Sequence, residues 1–295
     1  MTTAEARPLV FLGTPDAAAT ILRSVLDAGI RIEHVITRPD TRRGRGNTVS
    51  PSPVKAVALE YGITVSHDLG WISANASRDV LGIVVAYGRI IPESVLKKTP
   101  MVNVHFSLLP RWRGAAPVER AILAGDTQTG VCIMEVEPTL DTGAVYARRE
   151  MALTDTHTSE TLTKELAQLG GELLVHVLRN GLGSPVPQEG VTTYAHKLSS
   201  EEGRIEWNST SADVSRHVRA LRAFTVVDGQ RVRVLEVEVM PSSTATMPGE
   251  IAPDASVDTI DGAIRLVMVH PEGKGPMSGA AWLRGKGSDA PLLCE

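Results

Sequence analysis

Short apolar runs alternate with amphipathic, helix-period stretches through the first half of this 295-residue chain, and this alternation narrows the fold more than any other feature. A strand buried on both faces reads as a continuous apolar run, and its parallel neighbour is reached through a crossover, usually a helix. Leu9 to Leu12 is such a run, ending at Gly13. Asp16 stands where it would cap a helix whose Ile21, Leu22, Val25 and Leu26 share a face and which Gly29 ends. Ile32 to Thr37 predicts the next strand, and Ser52-Pro53 read as cap and first helical position before a stop at Gly62. Buried strands are expected at Ile83–Ala86 and Val102–Val104, a helix over Ala116–Ala124, and strands near Val131–Glu135 and Ala144–Arg148. The pattern predicts an α/β fold with a Rossmann-like, mainly parallel sheet covered by helices.

The segment Ser159 to Leu178 carries the clearest helical stripe, with Leu162, Leu166, Leu169, Leu173, Leu174 and Val177 on one side. After it, GLGSPVPQEGVTTY has no periodicity, and Gly181 to about Ser200 reads as a linker. The length accommodates two domains. We expect a Rossmann-like domain over 1–182, a linker over 183–203 and a smaller domain over 204–295. In that last part, Ser211 to Leu221 predicts a helix. Arg231–Val239 alternates as a strand but slips phase at Val234-Leu235, which predicts a β-bulge. Asp261-Gly262 marks a hairpin turn before Ile264–Val269. Several short strands with turns point to a small β-barrel or sandwich.

Composition sets the outer limits. Hydrophobic residues make up 42% and charged residues 22%, ordinary globular usage. No run approaches the ~20 apolar residues that span a bilayer, and MTTAEARPLV lacks the pattern of a secretion signal. The two cysteines, Cys132 and Cys294, are far apart, as in a reduced cytoplasmic protein. No His-x-x-x-His or Cys-x-x-Cys spacing occurs, so no metal is expected. The net charge of −4 argues against non-specific polyanion binding, yet Arg38, Arg42, Arg43, Arg45 and Lys55 form a local basic patch against one acid, Asp40. Gly13 with Pro15 does not make a dinucleotide fingerprint, which excludes the commonest use of a Rossmann-like opening.

The stretch NVHFSLLPRWRGAAP, Asn103 to Pro117, concentrates the chemistry. Asn103 and His105 point the same way from the end of a strand, and carboxyl ends of strands line the ligand crevice in open α/β sheets. An amide and an imidazole aimed together into that crevice can bind and protonate a developing oxyanion. An isolated histidine at a strand end is more often a satisfied structural residue. Pro110 forces the backbone out of the strand. Leu140-Asp141-Thr142-Gly143 is an acidic turn that gains meaning only beside His105.

NVHFSLLPRWRGAAP followed by LDTG resembles the signature of folate-dependent formyltransferases. The resemblance implies that Asn103, His105 and Asp141 form the catalytic set and that the backbone of Ser107, Leu108, Leu109 and Pro110 binds the folate. The RWRGAAP extension, Arg111 to Pro117, narrows the resemblance to members that act on methionyl-tRNA. FLGTPDAAA, Phe11 to Ala19, is similar to their first strand and turn. TRPDTRRGRGNTVSPSPVK, Thr37 to Lys55, resembles their basic loop, which grips the acceptor end of tRNA, with Arg45 matching the arginine of most weight. TYAHKLSSEEGRIEW and PEGKGPMSGAAWLRG are similar to the entry and end of an OB-like C-terminal domain that contacts tRNA. LRAFTVVDGQRV departs from the family by lacking a Pro- and Gly-rich turn, and the stretch between Ser66 and Leu81 is shorter than usual.

The resemblance therefore implies formyl transfer from 10-formyltetrahydrofolate, as co-substrate, to the amino group of charged initiator methionyl-tRNA, by a cytoplasmic, monomeric enzyme without a membrane partner. In that chemistry Asn103 is expected to donate to an oxyanion, and His105, whose ordinary pKa of ~6.5 suits the task, to carry a proton. Asp141 is expected to fix the imidazole. Two alternatives remain open from residues alone. One is a formyltransferase acting on a small amine such as glycinamide ribonucleotide or an amino sugar nucleotide. The other is a non-catalytic RNA-binding protein on the same scaffold.

Overall fold

The computed structural model describes residues 7–42, 49–245, 247–286 and 292–294. Two compact units emerge, one of 1–117, 128–152 and 161–195, the other of 118–127, 153–160 and 196–295.

The first unit is built on a seven-stranded sheet in the order Val145–Ala152, Gln128–Glu135, Met101–His105, Leu81–Val85, Leu9–Gly13, His34–Ile36, Val65–Ser66. The five strands from Met101–His105 to Val65–Ser66 run parallel, and the two at the other edge are antiparallel. Leu9–Gly13 is buried along its length, as a central parallel strand covered on both faces must be. Helix Asp16–Asp27 buries Ile21, Leu22 and Val25. Asp16 is its first residue rather than its cap: Pro15 occupies the cap position, and no side-chain capping bond forms. An acid in the first turn still complements the helix dipole. Helix Pro53–Glu60 begins as its sequence predicts, with the Ser52 side chain accepting from the Lys55 N–H. The long helix Ser159–Asn180 buries Leu162, Leu166, Leu173, Leu174 and Val177. Gly171 explains its close approach to the first helix: a Cβ there would lie 2.6 Å from Ser24 Oγ.

The second unit centres on an antiparallel near-barrel sheet in the order Phe224–Val227, Gln230–Met240, Ala263–Pro271, Ser256–Asp258, Glu250–Ile251, Leu292–Leu293, with Met277–Ser278 pairing Ala263–Pro271. The bulge falls where the phase slips: the register against Ala263–Pro271 shifts between Val234 and Glu236 and again before Val237. The Asp261-Gly262 turn closes a four-residue loop, since Asp258 pairs Ala263. Asp228-Gly229 makes a tighter connection between Val227 and Gln230, with φ of 50° and 70°. That is the two-residue hairpin with both centres left-handed. Helix Ser211–Ala220, capped by Thr210, buries Val214 and Val218 against a core that includes Trp207, Val234, Leu266 and Trp282.

His217, on that helix, has its Nε2 buried without a hydrogen-bond partner among the described residues. Burial holds its pKa below the ordinary histidine value. The unfolded chain therefore takes up this proton first as pH falls below ~6.5. Stability from the neutral imidazole is complete above that value and is lost on descending toward the folded pKa. Burial also lowers the pKa of His34, which adds in the same direction. We expect the thermal unfolding midpoint to fall between pH 7.5 and 5.5, and less steeply in His217→Gln. An equal slope in the variant contradicts this assignment.

Candidate active site

The strand Met101–His105 delivers two polar side chains to the carboxyl end of the sheet. Alternation along the strand puts Asn103 and His105 on one face, with Asn103 half-buried and His105 5% exposed. His105 Nε2 lies 2.9 Å from the Trp112 carbonyl oxygen. A carbonyl only accepts, so Nε2 carries the hydrogen, and in the neutral ring Nδ1 holds the lone pair. That Nδ1 edge faces Asp141, whose Oδ2 is 3.7 Å away. The separation is too long for a direct hydrogen bond, and leaves room for the pair to act on a group set between them or through a bridging water.

Asp141 is itself held. Its backbone is left-handed, with φ of 52°, and its Oδ2 accepts the Gly114 N–H at 2.8 Å. Gly114 has φ of 127°, and a Cβ there would lie 2.6 Å from the Ala195 carbonyl oxygen. Only glycine meets both demands. Arg113–Gly114 pairs in parallel with Tyr194–Ala195, a two-residue ladder that fixes this turn.

Ser107 is fully buried, and its hydroxyl donates to the Arg111 carbonyl at 2.6 Å. Leu109 packs with Cys132, Met134 and Val145, and the Leu109–Pro110 peptide is cis. The Ser107 and Leu109 side chains thus shape the loop from within, while Leu108 and Pro110 are half-buried. Arg111 lies over the Trp112 ring, 4.4 Å from its centroid, in a cation–π contact.

The basic residues stand otherwise. Arg38 is exposed, just beyond His34–Ile36. The Thr41–Arg42 backbone pairs with Val49–Ser50. The Arg42 side chain and all of Arg43 and Arg45 lie outside the described residues. Lys55 forms a 2.6 Å ion pair with Asp40, so its ammonium is engaged within the protein. Sequence reasoning did not single out Gln188, whose amide contacts Asp141, Gly143 and Arg113. It also missed the Trp112 carbonyl and the Gly114 amide, because main-chain groups leave no mark in residue identity. Among the described residues, no group of three or more His, Cys, Asp or Glu is arranged to hold a metal ion.

Residues 7–178 match the formyl transferase family and residues 197–287 match the formyl transferase C-terminal domain. The chain belongs to the formyltransferase family. It is 39% identical over 322 aligned positions to a methionyl-tRNA formyltransferase of Corynebacterium aurimucosum, covering 97% of each chain. In fold it is similar to HypX from Aquifex aeolicus, solved in complex with tetrahydrofolic acid, at a TM-score of 0.66 and 19% identity over 95% of this chain and 47% of that one. The chain thus spans about half the length of HypX. It is also similar in fold to the methionyl-tRNA formyltransferase from Clostridium thermocellum, with TM-score 0.59 and 15% identity over 79% of this chain and 93% of that one.

Gly114→Ala tests the turn. The added methyl group meets the Ala195 carbonyl and is strained at this φ, so the Asp141 anchor should shift. We expect the thermal midpoint to drop and activity to fall by at least about tenfold. Unchanged activity with an unchanged midpoint contradicts a turn that only glycine can make.

Proposed function

We propose that this chain transfers the formyl group of 10-formyltetrahydrofolate to the free amino group of charged initiator methionyl-tRNA. The observation that carries the reading is the 39% identity to a methionyl-tRNA formyltransferase, which extends over 97% of both chains and so includes the C-terminal part. The basic segment Arg38 to Lys55 favours a polyanionic substrate over a small amine. A binding protein without catalysis has no need of His105 and Asp141 held opposite one another.

Transfer moves a formyl carbon from one nitrogen to another, and its oxygen gains negative charge on the way. The Asn103 amide, at the open end of its strand, donates to that oxygen. His105 uses its two nitrogens differently. Nε2 is occupied by the Trp112 carbonyl, so Nδ1 is the edge that takes and returns a proton. Asp141, 3.7 Å from Nδ1, fixes the ring for that transfer. The attacking amine forms the new C–N bond and loses a proton through water to Asp141, and as the old C–N bond breaks the departing folate nitrogen takes a proton from His105 Nδ1. Ser107 to Pro110 supply backbone groups to the folate, on a loop made rigid by the Ser107–Arg111 bond. Arg38, Arg42, Arg43 and Arg45 contact phosphates of the acceptor arm, bidentately where geometry allows. Lys55 reaches RNA only by exchanging Asp40 for phosphate.

In this reading residues 1–182 form the catalytic domain, 183–203 a connection, and 204–295 a tRNA-contacting domain. The enzyme works as a cytoplasmic monomer. Among the described residues no helix is long and apolar enough to cross a membrane.

The direct experiment is transfer of labelled formyl from 10-formyltetrahydrofolate to charged initiator methionyl-tRNA, run beside glycinamide ribonucleotide. Label on the tRNA alone is expected; label on the small amine, or on neither, refutes the reading. Loss of one preorganised oxyanion donor costs roughly 100- to 1,000-fold in rate. Asn103→Ala should lower kcat by about that factor with the unfolding midpoint unchanged. Arg45→Ala should raise KM for tRNA or lower kcat while folate affinity stays constant, as read by titration of the folate. Wild-type kinetics on tRNA at moderate salt contradict a role for that arginine.

A further inference from the structure

The stretch Gln188 to Ala195 has no helix and only a two-residue strand, yet it bonds both to the Asp141 turn and to the loop after Met101–His105. Gln188 Nε2 donates to the Asp141 carbonyl at 2.9 Å and to the Gly143 carbonyl at 2.8 Å. Gln188 Oε1 accepts from Arg113 Nε at 3.0 Å and from Arg113 Nη2 at 2.7 Å. The reversed amide would set an NH2 group against the guanidinium N–H groups and an oxygen against two carbonyls, so the orientation is forced. Farther along, Thr193 Oγ1 accepts the Trp112 N–H at 2.9 Å, and its carbonyl accepts the Arg113 N–H at 2.9 Å. The Ala195 carbonyl accepts from both Ala115 and Ala116. One end of the stretch therefore grips the turn that carries Asp141. The other grips the residue whose carbonyl binds His105.

We propose that Gln188–Ala195 is a strap that aims the His105–Asp141 pair, and that Gln188 is the positioning residue for Asp141. Gln188 touches no reacting atom in this scheme. It holds the left-handed Asp141 backbone, and so keeps Oδ2 on the Gly114 N–H and opposite Nδ1. This role deepens the formyl transfer inferred above and rests on it for its kinetic consequence. Its structural consequence stands alone: without the Gln188 amide, the Gly114 N–H should lose its acceptor.

Gln188→Met keeps the length of the side chain and removes all four bonds. Amide hydrogen exchange at Gly114 should accelerate by at least about tenfold while the remaining sheet amides keep their protection. A displaced carboxylate should lower kcat by about 10- to 100-fold and leave both KM values within about twofold. In an Asp141→Asn background the same substitution should cost less than about threefold, because the group it positions is already disabled. Gln188→Glu retains the Arg113 partner but opposes two carbonyls with an acceptor, and it should repeat the exchange result if the methionine variant folds poorly. Unchanged Gly114 protection in a folded variant overturns the proposal, as do losses that simply multiply in the double variant. An inactive wild type strikes instead at the formyl-transfer reading, and the exchange measurement still decides the positioning role.

Discussion

The Gly114 N–H to Asp141 Oδ2 bond ties together two parts of the chain on which the rest of the site depends. One is the loop that leaves the strand Met101–His105; the other is the turn between the two antiparallel strands at the sheet edge. A carboxylate near a buried imidazole is stable only if its other lone pairs are satisfied and its backbone is fixed. Here an amide that no side chain obstructs satisfies the oxygen, and a left-handed backbone aims it. The parallel sheet supplies the base beneath: Val102 and Val104 are buried, so Asn103 and His105 face the opposite way by the pleat alone.

Much of this architecture was legible in the chain. The Ser52-Pro53 cap, the long Leu stripe from Leu162 to Val177, and the phase slip at Val234-Leu235 all report local physics, and local physics decided those elements. Asp16 illustrates the margin of such reading. A helix-favouring acid after Pro15 serves equally as cap or first residue, and proline's fixed φ gave it the inner place. Asp228-Gly229 carries a hairpin signal as plain as that of Asp261-Gly262. Its two-residue loop leaves little room for insertion.

The site was legible in kind and not in arrangement. Asn103 and His105 share a strand, so their common direction follows from spacing. The pairing of His105 with Asp141 comes from resemblance, since the 35 intervening positions hold no periodicity that would bring them together. The Arg113–Gly114 and Tyr194–Ala195 ladder has two pairs and no hydrophobic pattern, below what any periodicity detects. Gln188 sits among Pro and Gly in a stretch that reads as linker, and its significance lies in four bonds to three residues on two distant turns. The basic patch was visible as charge, but charge alone does not reveal that Lys55 is already neutralised by Asp40.

The strap bears on where a self-sufficient catalytic fragment ends. A chain cut at Asn180, after the last turn of the long helix, retains Asn103, His105, Asp141 and the whole seven-stranded sheet. It loses the acceptors for Trp112, Arg113, Ala115 and Ala116, together with the amide that holds Asp141 and Gly143. Such a fragment would keep every reactive group and none of the strap bonds that aim them. The first compact unit itself runs to Ala195, fifteen residues beyond the end of its last helix, and that extra stretch holds the strap.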